Sequence, residues 1–233
     1  MDYRDRHVVV TGGTGALGTA VVGALLEAGA VCHVPYRGEG EAKRFAHADN
    51  KKVLLVSVGD LADEAAVGGF YAGLDQLWAS IHIAGGFAFA PIAKSDKALL
   101  MGQLNANLVS AYLCSRAAVA AFKRAGAGGR IVNVAARQAL EPRLGASLTA
   151  YTIAKAGVAA LTMALGEEIA KDNVLVNAVA PSIIDTPANR KSMPQADFDA
   201  WPRVEEVAAA IMFLASPQNK VMRGTVAPVY GKF

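Results

Sequence analysis

The sequence is poor in cysteine, histidine, aromatic residues and charge: two cysteines, four histidines, 7% aromatic and 18% charged residues among 233. Cys32 and Cys114 have no Cys-x-x-Cys or Cys/His ligand spacing, so neither a disulfide framework nor a metal site is indicated. Two buried, reduced thiols suit a reducing compartment. No apolar run reaches membrane-spanning length, and the N-terminal "MDYRDRH" lacks the basic-then-apolar order of a secretory signal. A cytoplasmic chain with no membrane partner is expected. Basic runs interleaved with aromatics are missing too, and the net charge of +3 is dispersed, which argues against nucleic acid.

Hydrophobic residues are plentiful, at 53%, which excludes disorder and suits a sheet covered on both faces. No Pro-, Ser- or charge-rich linker divides the chain, so residues 1–233 are expected to form a single domain. Short β-branched runs, "HVVVT" from His7, "VCHVP" from Val31, "KVLLVS" from Lys52, "LWASIHI" from Leu77, "RIVNV" from Arg130, "VLVNAV" from Val174 and "TVAPV" from Thr225, alternate with Ala/Leu-rich stretches of helical period. Those stretches cover 16–28, 61–73, 98–121, 150–170 and 205–215. The pattern predicts an α/β fold, a Rossmann-type doubly wound parallel sheet with helices on both faces and ligands beyond the carboxyl ends of the strands.

Directly after the first strand, Gly13, Gly15 and Gly18 fall at the spacing Gly-x-Gly-x-x-Gly. Gly12 and Gly13 permit a tight turn, Gly15 lets backbone approach a pyrophosphate, and Gly18 allows close helix packing. The helix that follows offers free N–H groups to phosphates. A glycine-rich turn can be purely structural; the strand before and helix after supply the context of a dinucleotide site. At the end of the second strand an acid would accept from a ribose 2′-hydroxyl, but the chain has Tyr36 there and Arg37 beside it. Arg37 suits a 2′-phosphate, so NADP(H) is preferred and NAD(H) possible; a solvated surface arginine is the plainer account. Asp60, in "VGDL", is placed either for an adenine amino group or to cap the next helix.

Tyr151 and Lys155, in "AYTIAKAG", lie four apart on one helix face. The spacing alone is weak; the position, after the fifth strand, brings the pair to the end of the sheet where a nicotinamide would lie. Reduction of a carbonyl or imine by hydride needs a proton donor, and a tyrosine with free pKa about 10 acts as one when a nearby cation stabilises its phenolate.

With these residues in hand, the chain resembles the short-chain dehydrogenase/reductase family over essentially its whole length. The motifs are "TGGTGALG" at 11–18, Asp60, "IAGG" at 83–86, Asn107 in "NLVSAYLC", "YTIAK" at 151–155 and "NAVAPSIIDTP" at 177–187. The resemblance implies Tyr151 as acid/base, Lys155 lowering its pKa and holding the ribose, and Asn107 maintaining a proton relay. It also implies cofactor contacts from Gly12, Gly13, Thr14, Gly15, Ala16, Leu17, Gly18, Asp60, Leu61, Ala84, Gly85 and Pro181, and carboxamide contacts from Ile184 and Thr186. No metal is implied. A small-molecule substrate and a homodimer or homotetramer, built through 98–121 and 150–170, are expected.

The chain departs from the family pattern at three places. His82 replaces the first Asn of "NNAG", Ser182 replaces the Gly of "PG", and Ala136 stands where the catalytic serine is expected. Ser147 or Thr149, just upstream of Tyr151, either replaces that hydroxyl or serves as a turn or helix-cap residue. Loss of the serine also occurs in the quinonoid dihydropteridine reductases, which this chain resembles in "GGTGALG" and in "DTPANRKSMPQADFDAW" at 185–201, part of a substrate loop at about 185–203. Asn189, Arg190, Met193 and Trp201 in that loop shape a pocket or simply pack. The expected activity is hydride transfer from NADPH to a carbonyl or quinonoid/imine substrate. The alternatives are a general ketone reductase or alcohol dehydrogenase, or a catalytically weak NADP-binding sensor or interaction protein.

Overall fold

In chain order the elements are β1 (His7–Thr11), α1 (Ala16–Glu27), β2 (Val31–Tyr36), α2 (Glu39–Arg44), β3 (Val53–Ser57), α3 (Glu64–Ala72), β4 (Ala79–His82), α4 (Lys97–Gln103), a π-helical segment (Leu104–Val109), α5 (Ser110–Ala125), β5 (Gly129–Val134), α6 (Arg137–Leu140), α7 (Thr149–Glu168), β6 (Val174–Pro181), α8 (Pro187–Ser192), α9 (Val204–Ala215) and β7 (Val226–Val229). This computed structural model describes residues 1–232.

The seven strands form one sheet in the order β3-β2-β1-β4-β5-β6-β7, every pairing parallel. Parallel strands are buried on both faces, which is why they read as apolar runs rather than alternating ones. β6, near the middle of the C-terminal half, is buried at all eight positions, whereas the edge strands β3 and β7 are only partly covered. The expected Rossmann-type architecture is therefore the one observed.

Alternation along β1 divides the core. Val8 and Val10 meet Leu17, Val21 and Leu25 of α1 and Val207 and Ile211 of α9, while Val9 meets Val67 of α3 and Cys114, Ala118 and Phe122 of α5. Ala178 and Ala180 of β6 pack against Val158 of α7 on the same side as α5. The result is three layers, and the strand order reverses between β1 and β4. There the two strands stay paired to their carboxyl ends, and Thr11 O accepts from both Ile83 N and Ala84 N at 3.1 Å.

Helix α2 is not among those expected, and two expected helices differ from those found. α2, "EGEAKR", has no buried residue and so no apolar period to betray it. The helix expected over 98–121 begins at Lys97 and is interrupted by the π segment before α5 continues. The helix expected from 61 starts at Glu64, because Asp63 accepts from Ala66 N and caps it. No helix among the described residues is long and apolar enough to cross a membrane.

Candidate active site

A cavity of about 490 Å³ opens beyond the carboxyl ends of β1 and β4. Its floor is the glycine loop, and each glycine there answers to a different constraint. Gly12 has φ +66°, and a Cβ on it would stand 2.7 Å from Ala84 N. Gly13 is buried against Val34 and does not line the cavity. A Cβ on Gly18 would run into the carbonyl of Gly12. Gly15 is different: its φ is −81°, and a Cβ would meet nothing nearer than Gly12 O at 3.4 Å. Packing does not demand a glycine here. The exposed backbone of Gly15 faces the cavity at the N-cap of α1, where no side chain caps the helix and its first N–H groups remain available.

Thr14, Gly15, Ala16, Leu17 and Gly18 line one end together with Tyr36, Arg37, Glu41, Asp60 and Leu61; Ala84, Gly85, Ala106, Ser110, Val134 and Ile184 line the other. A cleft of this volume with anion-seeking N–H groups at the start of α1 fits a nicotinamide dinucleotide. Asp60 keeps its carboxylate in the cleft and accepts from Ala62 N at 2.9 Å, the helix cap having passed to Asp63. Glu41 had no motif to announce it, being one charge in a charged stretch.

Lys155, 5% exposed, lies one turn along α7 from Tyr151, and its Nζ donates to Val134 O at 2.7 Å. Burial pulls the Lys155 ammonium down to about 8 and pushes the Tyr151 hydroxyl up to about 12. The Nζ stands 5.9 Å from the Tyr151 ring centre. Asn107 is buried in the π segment; its Oδ1 accepts from Gly86 N at 3.2 Å and its Nδ2 donates to Gly86 O and Gln103 O, each at 3.0 Å. A Cβ on Gly85 would lie 2.6 Å from Asn107 Oδ1 and 3.5 Å from Lys155 Nζ, so both side chains converge on that glycine. On the outer side, Phe87 meets Tyr151 edge to face at 5.2 Å, and Ala90 N donates to Ser147 O at 2.9 Å, tying this loop to the turn before α7.

Tyr151, Lys155 and Asn107 do not themselves line the cavity, nor do Pro181 and Thr186. Pro181 is buried at the end of β6, and the Thr186 hydroxyl oxygen accepts from Asn189 N to cap α8. Ala136 is buried at the N-cap of α6 with extended backbone. Thr149 is exposed at the start of α7; Ser147 is half-buried and held at φ +60°. Ser182 uses its hydroxyl on Tyr230 O at 2.8 Å, which fastens the end of β7. In the 185–203 loop, Asp185 and Arg190 form a two-pronged ion pair at 2.6 and 2.7 Å, Arg190 covers the Phe198 ring, and Trp201 is buried against Phe198.

The His82 substitution builds a buried chain of hydrogen bonds. Thr162 Oγ1 donates to Val158 O, so it accepts from Asn133 Nδ2; Asn133 Oδ1 must then accept from His82 Nδ1 at 2.8 Å. His82 Nε2 accepts from Ser80 Oγ at 2.8 Å, and Ser80 accepts from Tyr71 at 2.7 Å. Burial holds the His82 imidazole neutral, its pKa pulled down to about 4.

Known proteins resemble this chain in sequence and fold. The model of the short chain dehydrogenase family matches residues 6–197. Galactitol 2-dehydrogenase of Rhizobium johnstonii is 32% identical over 246 aligned positions, spanning 97% of this chain and 94% of its own. The NAD(+) enzyme 2-dehydro-3-deoxy-L-rhamnonate dehydrogenase of a Sphingomonas species is 32% identical, spanning 93% and 90%. Neither of these two is a dihydropteridine reductase by name. Among solved structures, an oxidoreductase of the short chain dehydrogenase/reductase family from Burkholderia thailandensis superposes with a TM-score of 0.86 at 28% identity, covering 97% of this chain and 92% of that one. ElxO with NADP bound shares the fold, with a TM-score of 0.87 at 22% identity over 97% and 98%. With a family match over most of its length and relatives that align with nearly all of it, the chain belongs to the short chain dehydrogenase family and is a pyridine-nucleotide-dependent oxidoreductase.

Proposed function

We propose that the protein is an NADPH-preferring reductase that passes hydride to a carbonyl or to a quinonoid or imine substrate, in the manner of a dihydropteridine reductase. The observation that carries this reading is the convergence of Lys155 and Asn107 on Gly85, beside Tyr151 and at the end of the cleft away from Arg37. When bound, the nicotinamide supplies the hydride. Tyr151 donates its hydroxyl proton to the atom left negative; Lys155, fixed by Val134 O, opposes the charge left on the phenolate. Asn107 holds the loop at Gly86 so that neither side chain is displaced.

Ala136 supports the choice of an activated acceptor. Without a serine to orient a carbonyl, a quinonoid substrate needs less assistance than a ketone. Arg37, exposed at the adenosine end, supports NADPH. The test is oxidation of NADPH on addition of quinonoid dihydropterin: turnover is expected, with a loss of roughly 10²- to 10⁴-fold in Tyr151→Phe. Tight cofactor binding with no turnover on any acceptor would leave a sensor or interaction module instead.

A polyol or ketone substrate is the second reading. The 32% identity to galactitol 2-dehydrogenase favours it, as does exposed Phe87 against Tyr151, with exposed Phe89 and Ile92 further along the same loop, for bulky ketones. Exposed Tyr112 on α5 and Ile153 and Met163 on α7 support a homodimer or homotetramer, measurable by light scattering.

A further inference from the structure

Two opposite charges share the adenosine end of the cleft without neutralising each other. Arg37 and Glu41 both line the cavity, yet neither side chain forms an ion pair among the described residues. Glu41 Oε2 accepts instead from the backbone N–H of Arg37 at 3.2 Å, which fixes the carboxylate against the turn that leaves β2.

The plainest account is that acidic residues in the first turn of α2 complement its N-terminus. Glu39 fits that account: it is exposed and paired with Lys43. Glu41, two residues on, is half-buried and turned to the cavity wall. β2 ends in Tyr36, which carries no carboxylate for a ribose hydroxyl.

We propose that Glu41 is a specificity-determining residue that supplies the missing ribose-hydroxyl acceptor, so that Arg37 and Glu41 pull cofactor choice in opposite directions. Arg37 attracts a 2′-phosphate; Glu41 repels it and accepts from a free 2′-hydroxyl. The wild-type protein then binds both NADPH and NADH, with a preference smaller than Arg37 alone would set. This rests on the dinucleotide reading of the cleft and needs no assumption about Tyr151.

The test is direct titration with NADPH and with NADH, followed by nicotinamide fluorescence, for wild type, Glu41→Gln and Arg37→Gln. Gln at position 41 keeps an acceptor for the Arg37 N–H and removes only the charge. Glu41→Gln is expected to tighten NADPH about tenfold, about 1.4 kcal/mol, and to weaken NADH by about threefold. Arg37→Gln should weaken NADPH about tenfold and leave NADH within about twofold. The NADPH gain in Glu41→Gln should shrink between about 0.05 M and about 0.5 M salt, as an electrostatic effect must. An NADPH/NADH ratio that does not move in Glu41→Gln, with a wild-type melting curve, overturns the assignment; Glu41→Ala, which also removes the acceptor, must then leave the ratio unmoved too. Because binding is read without turnover, an enzyme that reduces no acceptor still returns these constants, and failure of the catalytic reading is seen separately. A wild type that binds neither nucleotide overturns both.

Discussion

The Lys155 ammonium donates to the carbonyl oxygen of Val134, 2.7 Å away, so the last residue of β5 fixes the height of a cation on α7. A long, flexible side chain is thereby held to one position without a carboxylate partner. Burial opposes the charge and brings its pKa down to about 8.

The reductive rate should therefore fall as pH rises through about 8, where Lys155 loses its proton, and not at the about 12 of Tyr151. The stability linkage has the opposite sense. A lysine depressed in the folded state costs stability while charged, and the cost is relieved as pH climbs from about 8 toward the unfolded value of 10.5. Turnover and melting temperature measured from pH 7 to 10 should move in opposite directions; parallel movement would mean that Lys155 is not the group responsible for the rate.

Gly15 and Gly18 should separate ligand approach from packing. Gly15→Ala is expected to lose no more than about 1 kcal/mol, the cost of alanine at an N-cap, since its Cβ has ordinary van der Waals room, yet to bind nucleotide at least about tenfold more weakly because the backbone can no longer be approached. Gly18→Ala, driven into the Gly12 carbonyl, should lose stability first. Calorimetry and cofactor titration of the pair decide it; equal losses of binding and stability in Gly15→Ala would make that glycine structural.

Acid should loosen the molecule below pH 6.5. His82 is held neutral by burial and His33 by burial and then by the charge on His7, each with its pKa lowered to about 4. The unfolded chain takes up these protons first, so stability is complete above about pH 6.5 and drains as pH falls to about 4, by up to about 3 kcal/mol for the fully buried His82. His82→Leu should remove part of that slope while lowering stability at neutral pH by about 1–3 kcal/mol for each polar partner left unpaired, Asn133 and Ser80 among them. An unchanged acid slope in His82→Leu would assign the effect elsewhere.

Ala136→Ser should help twice. The residue stands at the N-cap of α6 in extended backbone with no side-chain cap, so a hydroxyl there is worth about 0.5–1 kcal/mol to the helix. It would also restore the carbonyl-orienting group, raising turnover of simple ketones while changing quinonoid turnover little. If ketone turnover stays flat in a stabilised variant, Ser147 already does that work, and Ser147→Ala should then abolish it.

Much of this was legible in the residues. Strand runs such as "VLVNAV" leave no alternative to a buried parallel sheet, and the glycine loop sits where strand meets helix, so its geometry follows from local rules. What escaped was decided by tertiary path. α2 has no apolar face; α6 and α8 are four and six residues long, too short for a period to show. Trp201 sits in the substrate-side loop by sequence but is buried against Phe198, whose ring Arg190 in turn covers. Glu41 is one acid in a run of charges, and only the path of the chain puts its carboxylate on the cleft wall.

The π segment at Leu104–Val109 makes helix length a fixed quantity. A π turn holds one residue more than an α turn, so it rotates everything after it by about 100° relative to everything before. Asn107 can then point at Gly86 while Ala111, Cys114, Ala118 and Phe122 still point at the sheet. Deleting a single residue there would give a more regular helix and a worse protein, because one of those two faces would have to turn away. Among the helices of this chain, that one should be the least tolerant of insertion or deletion, however accommodating it is of substitution.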